Sequence, residues 1–444
     1  MQEASKLGKF SWAMFDWANQ PYFTVITTFI FAPYFTSVVI GNPAEGQAYW
    51  AYTQAIAGFL IAILSPVFGS IADAGGPRKP WILVFVVLCA LGSFALWWAV
   101  PGQTTGIYLI LAALVVGTVG VEFSLVFNNA MLPSLTSRDR IGRLSGLGWG
   151  MGYLGGLTAL FIVLLGFSLP DTPLFGLDKA AHEHDRITGP LSAVWFVIFI
   201  IPMMLFTPDA KPSGIAKGKA VRVGLSQLIA TFRSLKDYRN ILFFLFARMF
   251  YNDGILALIG FSGIYAAGLF GWETMTLGIF GILINVFAIA GSFVGGALDD
   301  RLGSKPTIVI SVLGLAVASM GVLSISDGEV LFGLPAAMPT EDSAMLSSPA
   351  ELVFIGFAFI MGFFFGPAQA ASRTLVARLS PPDKMGEFFG LFAFSGKATA
   401  FVAPFLIGVV TDITGQQRPA MIVIFLLLII GAALMSFVRE AEAD

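Results

Sequence analysis

Charge is what this sequence has least of. Only 12% of its 444 residues are Asp, Glu, Lys or Arg, about half the share of an ordinary soluble domain. A surface so poor in charge would aggregate in water, which excludes a large soluble enzyme. Cysteine is nearly absent as well. Cys89 stands alone, so no intrachain disulfide and no cysteine-based zinc site can form. The net charge of −2 offers nothing to a polyanion, and nucleic acid is excluded as a partner. There is no Gly-x-x-x-x-Gly-Lys-Ser/Thr loop for ATP, no Gly-x-Ser-x-Gly elbow and no His-Glu-x-x-His pair. No enzyme, no cofactor and no metal are therefore expected. Nor is a cleavable leader expected, because the apolar run after Lys6 and Lys9 is too long and carries Asp16.

What is present is apolar. Hydrophobic residues make up 57% of the chain, with 43 Phe and 49 Gly, and the mean hydropathy is +0.83. Runs long enough to cross a bilayer fall at roughly 11–40, 48–72, 80–100, 106–131, 144–167 and 190–206. A second set follows at roughly 240–268, 273–298, 306–325, 350–372, 387–410 and 419–438. Six spans therefore stand on each side of one polar connector, and the expected domains are 1–206, the connector 207–239, and 240–444. With the amino terminus inside, the even-numbered connectors and the two tails hold 19 basic residues, and the odd-numbered connectors hold three. By the positive-inside rule both termini face the cytoplasm of a cell inner or plasma membrane. The outer stretch 168–190 carries His182, Glu183, His184 and Asp185; two histidines at i, i+2 next to acids could hold a metal, but the stretch reads as a solvated acidic loop.

The halves repeat each other. Gly69-Ser-Ile-Ala-Asp73-Ala-Gly-Gly76-Pro-Arg78-Lys79 follows span two, and Gly296-Ala-Leu-Asp-Asp300-Arg301-Leu-Gly303-Ser-Lys305 follows span eight. A second echo sets Ile141–Leu147 against Met385–Leu391. These loops are expected to act as cytoplasmic gate motifs, with Gly69, Asp73, Gly76, Arg78, Gly296, Asp300, Arg301 and Gly303 as their working residues.

The repeated loop resembles the signature of the major facilitator superfamily. It departs from it at Ala74, Pro77 and Ser304. The stretches FDWANQPYF (Phe15–Phe23), Arg143–Gly156, Phe250–Gly254 and Phe389–Pro404 resemble, more narrowly, the vacuole-effluxer branch, the "unknown major facilitator" family linked to autophagy in fungi. That resemblance implies an all-α polytopic protein, twelve transmembrane helices in two pseudo-symmetric six-helix bundles around a central cavity that opens to each side in turn. It also implies export of small molecules from a vacuole-like compartment, with amino acids as the substrate class.

Polar residues at membrane depth are costly, and are kept where they pair, bind or move protons. Asp16, Asn19 and Gln20 share one face of span one. Glu122 lies near the middle of span four with Asn129 two turns on. Arg248, Asn252 and Asp253 lie in span seven, and Lys397 sits about 15 Å past Glu387 in span eleven. Asp16, Glu122 and Asp253 are the candidate proton-coupling sites. Asn19, Gln20, Asn129, Tyr153, Arg248, Asn252 and Lys397 are the candidate substrate contacts. Deep acids outnumber deep bases by one, which a proton or a cationic group would balance. Arg373, at the end of span ten, is expected to reach the cytoplasmic surface. Gly146, Gly148, Gly150, Gly152, Gly155 and Gly156 are expected to let span five slide against the other bundle, and Pro21 to bend span one.

The expected activity is secondary active transport of a small polar or zwitterionic solute, proton-coupled, by a monomer whose partners are its substrate and the bilayer. An exporter of drugs or amphiphiles is the rival within transport. A transporter-like receptor or assembly factor is the rival outside it.

Overall fold

The computed structural model describes residues 3–102, 106–214, 217–233, 235–272, 274–340 and 343–439. Among them stand twelve helical segments long and apolar enough to span a membrane. They run Lys6–Val39, Glu45–Gly75, Lys79–Trp98, Ile107–Leu135, Arg138–Ser168 and Glu183–Phe206 in the first half. Arg239–Phe270, Thr276–Leu302, Ser304–Leu323, Pro349–Leu379, Pro382–Thr414 and Gln417–Phe437 follow in the second. In hydrocarbon a backbone can satisfy its own polar groups only as helix or closed barrel. Each apolar run accordingly closes into one helix or a short series of helices. Span six starts seven residues earlier than its apolar run, because the helical turn Glu183–Arg186 joins it. The acidic stretch after span nine contains a two-stranded hairpin, Glu329–Val330 against Leu334–Pro335.

By contacts the chain forms two compact units. One gathers Met1–Arg138, Met151–Arg233 and Ser380–Lys397; the other gathers Asp139–Gly150, Ser234–Leu379 and Ala398–Asp444. The units thus do not follow the sequence halves strictly. The first turns of span eleven pack in the first unit, and the first turns of span five pack in the second.

Span one departs from α geometry beside its prolines, and span eleven is interrupted without one at the break. Span one is π-helical over Tyr22–Phe29, directly after Pro21, and again over Phe35–Val39, two residues after Pro33. Proline gives no N–H to the turn before it, and a wider turn re-pairs the carbonyls that are left over. The expected bend is thus realised as a change of helix type. Span eleven is broken: one helix ends at Lys397, residues 398–401 form turns, and a second helix starts at Val402. The connector between the halves holds a seventeen-residue amphipathic helix, Lys217–Arg233. It packs in the first unit against span two, where Ser70 Oγ donates to the Gly224 carbonyl.

Span five changes partner along its length. In the second unit a Cβ on Gly146 would strike the Ser292 carbonyl, and one on Gly150 would lie 2.8 Å from the Phe293 ring. In the first unit a Cβ on Gly155 would lie 2.5 Å from the Trp17 carbonyl. These glycines therefore serve close helix contact with span eight at one end and with span one at the other.

Candidate functional site: an intramembrane ion pair and two helix-capping loops

The candidate residues of the first unit stand on spans one, four, five and eleven, and the structure pairs two of them. Lys397 Nζ lies 2.7 Å from Glu122 Oε1. Lys397 is the last residue of its helix, where the carbonyl ends carry partial negative charge that favours a cation. The pair is not sealed, since 34% of the lysine side chain and 15% of the glutamate side chain remain accessible. One turn away on span four, Thr118 Oγ1 is 2.9 Å from the Tyr22 hydroxyl, which also donates to the Leu114 carbonyl. Sequence spacing did not single out Tyr22, although it stands inside the Phe15–Phe23 stretch.

Asp16 is buried beside span five, where a Cβ on Gly152 would lie 3.5 Å from the Asp16 Cβ and 3.4 Å from Gln20 Oε1. Asn19 is also buried, but its amide donates to the Phe15 carbonyl of its own helix. Tyr153 is buried in the same unit, and Asn129 is half-buried while its neighbour Asn128 is wholly buried. Trp12 Nε1 donates to the Asn128 carbonyl, tying span one to span four.

In the second unit Arg248, Asn252 and Asp253 are all buried in span seven. Gln369 Nε2 donates to Asn252 Oδ1 at 3.2 Å, and the Tyr251 hydroxyl is 2.7 Å from Ser372 Oγ. Arg373, expected at a surface, is 2% exposed. Its Nε donates to Ser145 Oγ at 2.9 Å, and its guanidinium lies over the Trp149 ring. The reason is length: span ten continues to Leu379, so Arg373 sits well inside the helix.

Each repeated loop caps the start of a helix. Asp73 accepts the backbone N–H of Gly386 and of Glu387, both at 2.9 Å, and Arg78 Nη2 donates to it at 2.8 Å. Asp300 accepts the N–H of Gly142 at 2.7 Å and of Arg143 at 3.2 Å. A carboxylate is well placed on the exposed N–H groups that open a helix. The glycines are needed because backbone meets backbone: a Cβ on Gly69 would strike the Gly386 carbonyl, and one on Gly296 would lie 2.7 Å from the Gly142 carbonyl. Gly76 and Gly303 take φ of +98° and +94°, open to glycine.

Arg301 is not the partner of Asp300. It is exposed, and Arg143 Nε takes that place 3.3 Å from Asp300 Oδ2. Two further acids escaped the sequence reading. Asp209 accepts the N–H groups of Arg78 and Lys79 at the start of span three. Asp299 accepts from Ser304 Oγ and Arg378 Nη1, each at 2.8 Å.

Comparison with known proteins agrees with this architecture. The family described as "Vacuole effluxer Atg22 like" matches residues 35–443. The chain belongs to that family. It is 27% identical over 437 residues to the Bacillus subtilis protein described as an uncharacterized MFS-type transporter, YxiO, covering 97% of this chain and 94% of that one. It is also 27% identical over 299 residues to autophagy-related protein 22 of Cryptococcus neoformans, covering 65% of this chain and 51% of the fungal one. The chain thus spans about half the length of that fungal protein. Among solved structures, the major facilitator transporter FucP in its outward conformation superposes with a TM-score of 0.69 at 16% identity, over 98% of this chain and 99% of that one. The human organic anion transporter MFSD10 superposes with 0.67 at 14% identity, over 98% and 100%. The protein is therefore a multi-pass membrane transporter with the major facilitator fold, a secondary transporter of a small molecule and not an enzyme.

Proposed function

We propose that this vacuole effluxer relative carries a small zwitterionic solute of the amino-acid class, by alternating access coupled to protons. The observation that carries the proposal is the 2.7 Å pair between Lys397 and Glu122, left partly accessible at mid-span. A zwitterion brings both signs: its carboxylate can take the lysine and its ammonium the glutamate, so one ion pair becomes two. A neutral solute would have to leave the pair intact, and a singly charged one would strand a partner at high cost. Protonation of Glu122 releases Lys397 by the same exchange, which couples a proton to substrate entry.

Asp16 and Asp253 are the other candidate proton sites in this scheme. Gln20, Asn129, Tyr153, Arg248 and Asn252 are the remaining candidate substrate contacts. Asn19 is the weakest of the set, because its amide is spent within its own helix. The pseudo-symmetric halves 1–206 and 240–444 and cytoplasmic termini in a cell inner or plasma membrane complete the proposal, together with a monomeric active form.

The test is flux into proteoliposomes holding the purified protein. Labelled amino acids are expected to accumulate when a pH gradient is imposed, and hydrophobic cations are not. Accumulation of hydrophobic cations with no amino-acid flux would replace the reading with an amphiphile exporter. No flux of either, from protein that melts cooperatively, would replace it with a receptor.

A further inference from the structure

The chain has only two histidines, and the fold brings both to one carboxylate. His182 Nδ1 lies 3.1 Å and His184 Nε2 lies 3.4 Å from Asp185 Oδ2. The candidate donor atoms of the three residues all fall within 4.8 Å of one another. Four ligands bound tetrahedrally at about 2.0–2.2 Å stand about 3.3–3.6 Å apart, close to the two distances seen.

The arrangement is built, not a chance of a floppy loop. His182 adopts φ +54°, ψ 30°, and caps the helical turn Glu183–Arg186. That left-handed residue turns its imidazole back over its neighbour, and the two rings stack at 5.8 Å with 21° between their planes. The His182 ring also rests 5.5 Å from the ring of Tyr34, at the far end of span one. His184 Nδ1 is buried with no hydrogen-bond partner, so Asp185 is the polar tie that holds that ring. The nearby cations are engaged elsewhere: Arg186 donates to the Trp97 carbonyl and lies over the Trp97 ring, and Lys179 donates to the Ser168 carbonyl. Glu183 accepts the N–H of Asp178.

We propose that His182, His184 and Asp185 form a binding site for a first-row divalent transition ion of the Zn2+ class. Two imidazoles and one carboxylate suit such an ion and leave a fourth position open. A hard cation such as Ca2+ needs six or more oxygens and finds one carboxylate here. Bound metal would fasten His182 to the helical turn that carries His184 and Asp185, holding the connector between spans five and six in its present shape.

The test uses the full chain without a polyhistidine tag, in detergent, with Zn2+ alone as the probe. At about 10 µM free Zn2+, equilibrium dialysis is expected to find one ion per chain, unaffected by excess Ca2+. His184→Ala or Asp185→Asn is expected to weaken binding at least about tenfold, and His182→Ala with His184→Ala to abolish it. Protection of both histidines from diethyl pyrocarbonate by Zn2+ reads the same event in the unaltered protein, whatever the variants do to folding. Less than half an equivalent bound, equal binding by the double variant, or histidines that react as fast with Zn2+ as without it would each overturn the proposal.

Discussion

Asp73 and Asp300 do the same work in the two halves of the sequence. Each carboxylate holds the backbone N–H groups that open a helix, Gly386 and Glu387 for Asp73, Gly142 and Arg143 for Asp300. Each helix so held belongs, in sequence order, to the half opposite its loop. This crossing is why the compact units exchange the starts of spans five and eleven.

The two caps differ in burial, and that difference predicts unequal losses. Arg78 and Asp73 are 11% and 3% exposed, whereas Arg143 is 60% exposed. Removing one partner of a buried pair costs roughly 3–5 kcal/mol, and of an exposed pair roughly 0–1 kcal/mol. Arg78→Ala should therefore lower stability in detergent melts far more than Arg143→Ala. Equal losses would contradict the assignment of Arg143 as the exposed partner.

Glu122→Gln should abolish the response of transport to a pH gradient and weaken, without abolishing, exchange of substrate across the membrane, because the amide oxygen still accepts from the substrate ammonium but no longer pairs its charge. Lys397 would keep a neutral acceptor, and being partly exposed should cost about 1–3 kcal/mol of stability, between the surface and buried limits. Flux measured at several imposed gradients, against exchange at equal pH, separates the two effects. Unchanged pH dependence in both Glu122→Gln and Asp16→Asn would sink proton coupling at these sites.

Gly155→Ala should destabilise by about 1–3 kcal/mol, because the atoms its methyl meets are Trp17 backbone and cannot swing away. Gly260→Ala in span seven is the control. Nothing lies within 4 Å of its Cβ position, and removing glycine from a helix should be neutral or gain roughly 0.5–1 kcal/mol. Thermal melts of the two variants in one detergent should bracket the parent.

Arg373→Lys should behave as a loss and not as a conservative change. An ammonium cannot donate to the Ser145 hydroxyl and carbonyl in the fixed fork of a guanidinium while covering the Trp149 ring. A drop of about 1–3 kcal/mol is expected from the buried hydrogen bonds to a charged group, read in the same melts. A lysine variant as stable as the parent would return Arg373 to the surface role its position in the sequence suggested.

The spans were legible because some twenty apolar residues can do little else near a bilayer, and the loops because two offsets repeat. Partner choice was not legible. Nothing local to Arg301 says that Arg143 will displace it beside Asp300, or that Asp209 will cap span three from beyond span six. The break after Lys397 carries no proline of its own, and the helix Lys217–Arg233 sits in a stretch whose polarity reads as connector. The histidine pair read as part of a solvated loop, since the left-handed turn at His182 that brings both rings to Asp185 is not encoded by spacing.

The π-helical runs of span one have a mechanical consequence. Each accommodates one residue more than an α turn would. Relaxing one run to α geometry therefore rotates everything beyond it by about 100° and shifts it about 1.5 Å along the axis. Tyr34 and its neighbours could be re-aimed like the bit of a screwdriver, with no hydrogen-bonded turn ever opened to lipid. A spin label at Ser37, exposed and beyond the first run, measured against one in span six with and without substrate, would register that rotation; a fixed orientation in every condition would show that the first wide turn is static.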